Sequence, residues 1–193
     1  DINGGLLLPG DTLEYTVTMQ NLGSDTAINA MIIDTIPFNL DYVPNSIRVI
    51  AGPNQGSKTD VAGDDQGDFD AAANRIIVRI GNGANATTGG SLADSPSGTD
   101  STTIKFRATV TTECIKLRCS EFVNSLASGV ATGFLSGNTQ TNFSNPSIFD
   151  GQGCPIPGFT STFITLPPTC ALPPDTAFSA CPPFQFSTLA TAL

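Results

Sequence analysis

The chain predicts an all-β fold, an antiparallel sandwich, on three observations. Residues Thr12 to Gln20 alternate strictly, with Leu13, Tyr15, Val17 and Met19 on one face and Thr12, Glu14, Thr16, Thr18 and Gln20 on the other. That period of two marks a strand with one face in a core and one in water. Further short runs follow, separated by Gly-, Asn-, Asp- and Pro-rich turn clusters, and no stretch shows helical periodicity of useful length.

Taken in order, the first strand is opened by Gly10-Asp11 and closed by the turn residues Asn21-Leu22-Gly23-Ser24-Asp25. A second apolar run, Ile28 to Ile33, returns toward Asp34-Thr35-Ile36-Pro37, so the two read as an antiparallel hairpin. Ile47–Ala51, Arg75–Gly81, Thr102–Thr111 and Phe122–Thr132 are the remaining strand candidates. In Thr102–Thr111, Ile104, Phe106, Ala108 and Val110 alternate with Lys105, Arg107, Thr109 and Thr111. Asn82 to Asp100 reads as a long polar loop. After Gly133 the pattern changes to breakers with little alternation. The expected organisation is a sandwich over 1–133, an irregular Pro/Gly-rich extension over 134–183, and a terminal strand over 184–193.

Several patches resemble, in order, the immunoglobulin-like "conserved repeat domain" of large secreted bacterial surface proteins, of a Bacteroidetes-like kind. They are Gly10-Asp11 leading through the first strand to Asn21-Leu22-Gly23 and Asp34-Thr35-Ile36-Pro37, then Leu40–Ser46, Thr59–Gln66, Gly81–Ala86, Gly89-Gly90 and Phe106–Val110. The resemblance covers roughly residues 1–132. It implies an immunoglobulin-like sandwich at a cell surface and names no reaction. In that family a strand normally precedes the Asp-x-Asn-Gly-Gly turn, which here is Asp1-Ile2-Asn3-Gly4-Gly5 at the start of the chain. The segment Phe184–Leu193, with Phe184, Phe186, Thr188 and Ala190 on one face, has the character of that strand. Joining Leu193 to Asp1 of another copy would restore the family order. The competing reading is that this segment folds back onto its own sheet.

Composition narrows the function. A formal charge of −9 with eight scattered basic residues argues against nucleic acid, because phosphate neutralisation needs clustered Lys and Arg. No apolar run approaches the ~20 residues that span a bilayer. The chain starts with Asp rather than Met and shows no signal peptide, as expected of a mature product or an excised piece. There is no His, which excludes Ser-His, Cys-His and His-metal catalysis. The absence of Trp and the presence of only two Tyr disfavour a sugar-stacking cleft. Ser-Lys catalysis would need Lys58, Lys105 or Lys116 buried beside a serine; Lys105 lies on a polar strand face and the others in loops. The same placement disfavours an intramolecular Lys–Asn or Lys–Asp isopeptide bond. No enzyme is predicted.

The loop Asp60–Asp70 carries five carboxylates in eleven residues. Such a cluster is solvated or bridged by a cation, and Ca2+ takes six to eight hard oxygens in flexible geometry. Asp60, Asp64, Asp65 and Asp68 are the expected ligands, with Asp1 and Asn3 completing the sphere. The competing reading is a hydrated acidic turn region. The five cysteines, Cys114, Cys119, Cys154, Cys170 and Cys181, all fall in the last 80 positions. They read as disulfide staples in an oxidising compartment. Cys114–Cys119 would close a short loop, Cys154–Cys170 would brace the tail, and Cys181 is left over; the exact scheme stays open. Thr12, Thr26, Thr35, Ser101 and Thr176 each follow an Asp in a tripeptide similar to the O-glycosylation sequon of exported Bacteroidetes proteins, and each is also an ordinary turn-to-strand junction. Asn85-Ala86-Thr87 and Asn142-Phe143-Ser144 match the N-glycosylation pattern.

The expected function is a structural repeat unit of an extracellular bacterial filament or adhesin stalk, joined to neighbouring copies of itself through its terminal strand. The alternative is an adhesive module recognising glycan or a host surface through Gly52–Asp68 and Asn82–Asp100. These loops lack the aromatic anchors that usually supply binding energy. A third reading, an accessory domain of a carbohydrate-active enzyme, is disfavoured by the missing Trp.

Overall fold

The ten-residue strand that alternates most regularly late in the chain organises the molecule. The computed structural model describes residues 1–94, 100–119, 127–144 and 164–165. Its elements are β1 (Thr12–Gln20), β2 (Ala27–Thr35), β3 (Leu40–Tyr42), β4 (Arg48–Ala51), β5 (Gly56–Ser57), β6 (Gly67–Asp70), β7 (Arg75–Arg79), β8 (Gly90–Leu92), β9 (Ser101–Val110), α1 (Cys114–Cys119), β10 (Ala127–Gly133) and β11 (Thr139–Phe143). One sheet runs β1-β9-β4-β5, with β3 also on β9; the other runs β11-β10-β2-β7-β6, with β8 also on β2. All pairings are antiparallel.

The two sheets close on one core, as the alternation requires. Leu13, Ile104, Phe106, Ala108 and Val110 come from the first sheet, and Ala30, Ile32, Ile76, Val78, Leu92 and Ala131 from the second. Phe106 is fully buried and stacks on Tyr15 at 5.0 Å between ring centroids. Burial pushes the Tyr15 phenol well above its ordinary value, and the charge of Asp34 adds to the shift. Asp34, expected in a turn, is instead the penultimate residue of β2 and only 1% exposed.

Three expectations are corrected. The first two strands are not a hairpin: β1 pairs over its whole length with β9, from Thr12↔Thr109 to Gln20↔Ser101, while β2 lies in the opposite sheet. The linker is an arch that crosses the sandwich. Asn21 holds it, donating from Nδ2 to the carbonyls of Asp25 and Leu92 and accepting from the Gly23 N–H at Oδ1. Alternation states which side chains face the core, and a neighbour in sequence and a distant strand satisfy it equally.

Second, the sandwich does not stop at 133. β10 and β11 form a hairpin across that boundary. Ile164 is buried in the core, and the Thr165 N–H donates to the Leu7 carbonyl. β11 is exposed along its whole length, so it carries no apolar alternation to be read.

Third, the polar stretch Asn82–Asp100 contains β8. Gly81, at φ +93°, allows this: a Cβ there would sit 2.6 Å from the Ser91 carbonyl oxygen.

Candidate functional site

The carboxylates of the acidic loop accept hydrogen bonds from donors close by. Asp60 accepts from the Tyr42 hydroxyl at 2.6 Å and the Asn45 N–H at 2.7 Å. Asp64 accepts from Thr59 Oγ1, and Asp65 from the N–H groups of Thr59 and Gly67. Asp68 belongs to β6 and forms a buried ion pair with Arg79 at 2.8 Å. Asp70 accepts from the Ala73 N–H and pairs with Arg75; that backbone bond, then the guanidinium, hold its carboxyl below the ordinary range.

Asp1 accepts from the Asn3 N–H, and Asn3 accepts from the Thr12 N–H. Among the described residues no group of three or more His, Cys, Asp or Glu side chains converges on one point. The sphere expected from Asp60, Asp64, Asp65, Asp68, Asp1 and Asn3 is therefore not assembled. Tyr42, Asn45, Thr59 and Gly67 supply neutral donors to Asp60, Asp64 and Asp65, and Arg79 is the cationic partner of Asp68.

Cys114 is disulfide-bonded. Cys114 and Cys119 are the first and last residues of α1. The side chain of Cys119, with Cys154, Cys170 and Cys181, lies outside the described residues. Of the Asp-Thr/Ser positions, Thr12 shares a contact with Thr109 and Thr26 donates to Asp94. Thr35 is exposed at the end of β2 and Ser101 half-buried at the start of β9. Thr176 and the predicted strand-donor residues Phe184, Phe186, Thr188 and Ala190 lie outside the described residues.

The outer edge of β1 is open among the described residues. The Ile2 N–H donates to the Thr12 carbonyl, and the Thr12 N–H donates to Asn3. The backbone groups of Thr12 therefore point away from β9, and by the pleat so do those of Glu14, Thr16 and Thr18. No described residue bonds the last three on that side, and Thr16 and Thr18 are exposed. Beside this edge a groove of about 180 Å3 opens between the sheets, lined among others by Val17, Met19, Ile32, Ala127 and Phe143. Gly129 keeps it open, since a Cβ there would lie 3.0 Å from Met19 Sδ.

Sequence reasoning missed a second groove, of about 500 Å3, on the outer face of the first sheet. Its floor carries Glu14, Arg48, Lys105 and Arg107, and the Val43–Ser46 segment forms one wall. Glu14 bonds both Lys105 and Arg107. Those two cations, Lys105 first, hold its carboxyl below the ordinary value. Strand pairing brings together basic residues that are scattered in sequence. A clamp was also missed: Asp25 accepts the N–H groups of Leu135 and Ser136 at the tip of the β10–β11 hairpin. These backbone bonds lower its pKa, Leu135 contributing most.

No family model and no curated protein matches this chain. Among solved structures, domains D2 and D3 of the major pilin SpaD from Corynebacterium diphtheriae are similar over 72% of this chain and 46% of that one. The identity is 13% and the TM-score 0.45. The full-length major pilin SpaD is similar over 72% of this chain and 31% of its own, at 13% identity and a TM-score of 0.46. AvmM, described as catalysing macrocyclization in alchivemycin A biosynthesis, covers 72% and 81% at 14% identity and a TM-score of 0.31. The chain spans less than half the length of the pilin chains it matches. Likenesses this remote carry no functional argument. Among the described residues no helix is long and apolar enough to cross a membrane.

Proposed function

We propose that this chain is a structural repeat unit of an extracellular surface filament or adhesin stalk, and that copies join by strand addition at the free edge of β1. The observation that supports the reading is that edge itself. Glu14, Thr16 and Thr18 present backbone donors and acceptors that no described residue bonds, beside an apolar groove. An edge left in this state is a template for a strand from another chain. In strand addition the main chain supplies the hydrogen bonds, and alternate side chains enter pockets.

The donor is the segment 184–193 of a neighbouring copy, with Phe184, Phe186, Thr188 and Ala190 directed to the groove beside Val17 and Met19. Because Ile2 bonds Thr12 on this edge, a strand reaching Asp1 from a neighbour would run antiparallel to β1. Burying one Phe contributes roughly 1.5–3 kcal/mol, and each new backbone bond adds about 0.5–1.5 kcal/mol.

Thr16→Pro tests this. The Thr16 N–H faces away from β9, so proline there spares the internal ladder, as on other edge strands, and blocks an added strand. Electron microscopy and size-exclusion chromatography of the concentrated chain should show end-to-end oligomers. These should be lost in Thr16→Pro and on deletion of 184–193, with the Thr16→Pro melting midpoint within a few degrees of the parent. Oligomers that persist in either variant, or a parent chain monomeric at every concentration, would overturn the proposal.

A further inference from the structure

The outer face of the first sheet carries a feature that strand addition does not use. In the 500 Å3 groove, Arg48 and Lys105 are directly opposed on β4 and β9, a like-charge arrangement that costs the sheet stability. Glu14 already serves Lys105 and Arg107, whose side chains remain 35% and 48% exposed. Arg48 has no ion pair among the described residues. Three cations against one carboxylate leave this groove positive on a chain whose net charge is −9.

The complement lies at the rim. Asn45, in the groove wall, donates its N–H to Asp60, the first residue of the acidic turn. Asp60, Asp64 and Asp65 have no cationic partner among the described residues, and Asp64 is exposed. Positive groove and negative turn are therefore neighbours on one surface. Such a pair is self-complementary under a two-fold axis, groove to turn and turn to groove, as isologous interfaces require.

We infer that this face is a lateral contact between two copies of the chain, the Asp60–Asp65 turn of each seated in the Arg48/Lys105/Arg107 groove of the other. The groove's lining contains no aromatic residue, so it suits carboxylates rather than stacked sugars. The contact is electrostatic, with complementary potentials governing partner choice and encounter. Because the Debye length shrinks from roughly 20 Å at 20 mM salt to about 4–5 Å at 500 mM, the pairing is strongly salt-dependent. It uses the Glu14 side chain where strand addition uses the Glu14 backbone, so strand-linked filaments would associate side by side through it.

Sedimentation in the Thr16→Pro background separates this pairing from strand addition. The expected result is a dimer at 20 mM salt, with affinity falling at least tenfold at 500 mM. Lys105→Glu alone and Asp64→Lys alone should each weaken it tenfold or more. A mixture of the two variants should recover a heterodimer, since each mutant groove then meets a mutant turn of opposite charge and the other contact is native. A chain monomeric at low salt, dimers indifferent to Lys105→Glu, or a mixture no tighter than either variant alone would overturn the inference.

Discussion

Replacing Asp60 by alanine separates a carboxylate that shapes the acidic turn from one that waits for a metal. Asp60 accepts two bonds, one from the Tyr42 hydroxyl in a half-buried setting and one from the exposed Asn45 N–H. Tyr42 is itself anchored, stacked on Phe69 at 4.2 Å. Its phenol is raised above the ordinary value first by burial and then by the Asp60 bond, so loss of Asp60 leaves a constrained donor without its acceptor. The charge-assisted bond to Tyr42 contributes about 1.5 kcal/mol and the exposed one about 0.5–1, together about 2–2.5 kcal/mol. For a chain of this size that lowers the midpoint by about 4–10 °C. Asp64→Ala is the control, because Asp64 is exposed and accepts only from Thr59 Oγ1; its loss should move the midpoint by no more than about 2 °C. Thermal melts of both variants and the parent, each in EDTA and in millimolar Ca2+, provide the readout. Equal effects from Asp60→Ala and Asp64→Ala, together with a parent midpoint that rises several degrees in Ca2+, would refute the protein-donor account. That outcome would restore the shared-ligand reading of the loop.

Two further outcomes follow from the packing and the charges. Phe106→Ala removes a fully buried ring from the core and its stacking partner from Tyr15. It should destabilise the chain by about 3–5 kcal/mol in denaturant titration; a loss below about 1 kcal/mol would mean the two sheets do not close on this ring. Glu14 is held below its ordinary value by Lys105 and Arg107, so its contribution is present above the unfolded pKa and is lost as pH falls through the lower folded one. Glu14→Gln should therefore flatten the decline of stability between about pH 5 and 3. Its cost at neutral pH should be less than about 1 kcal/mol, since all three side chains are partly exposed. An acid limb as steep as the parent's would remove the pairing from the stability account.

What the amino-acid sequence by itself determined is the class of fold and the identity of the core faces. Leu13 to Met19 and Ile104 to Val110 alternate because a pleated strand sends successive side chains to opposite faces, and that periodicity is local. Pairing is not local. Only the tertiary structure decided that β1 joins β9 rather than β2, because an apolar face requires burial without naming the strand beside it. β11, exposed on both faces, left no periodic trace, and Asp34 gave no sign that it would be buried against Tyr15. The acidic turn shows the same division. Its five carboxylates were legible as mutual repulsion seeking a partner, while the partners come from the loop itself and its flank (Thr59, Gly67, Ala73, Arg75), from the Tyr42–Asn45 stretch and from Arg79 on β7. The basic groove was invisible for the converse reason. Arg48, Lys105 and Arg107 are separated by up to 59 positions of sequence, and antiparallel register alone sets them side by side. Charge acts through space at the scale of a strand spacing, and one-dimensional order does not carry that distance.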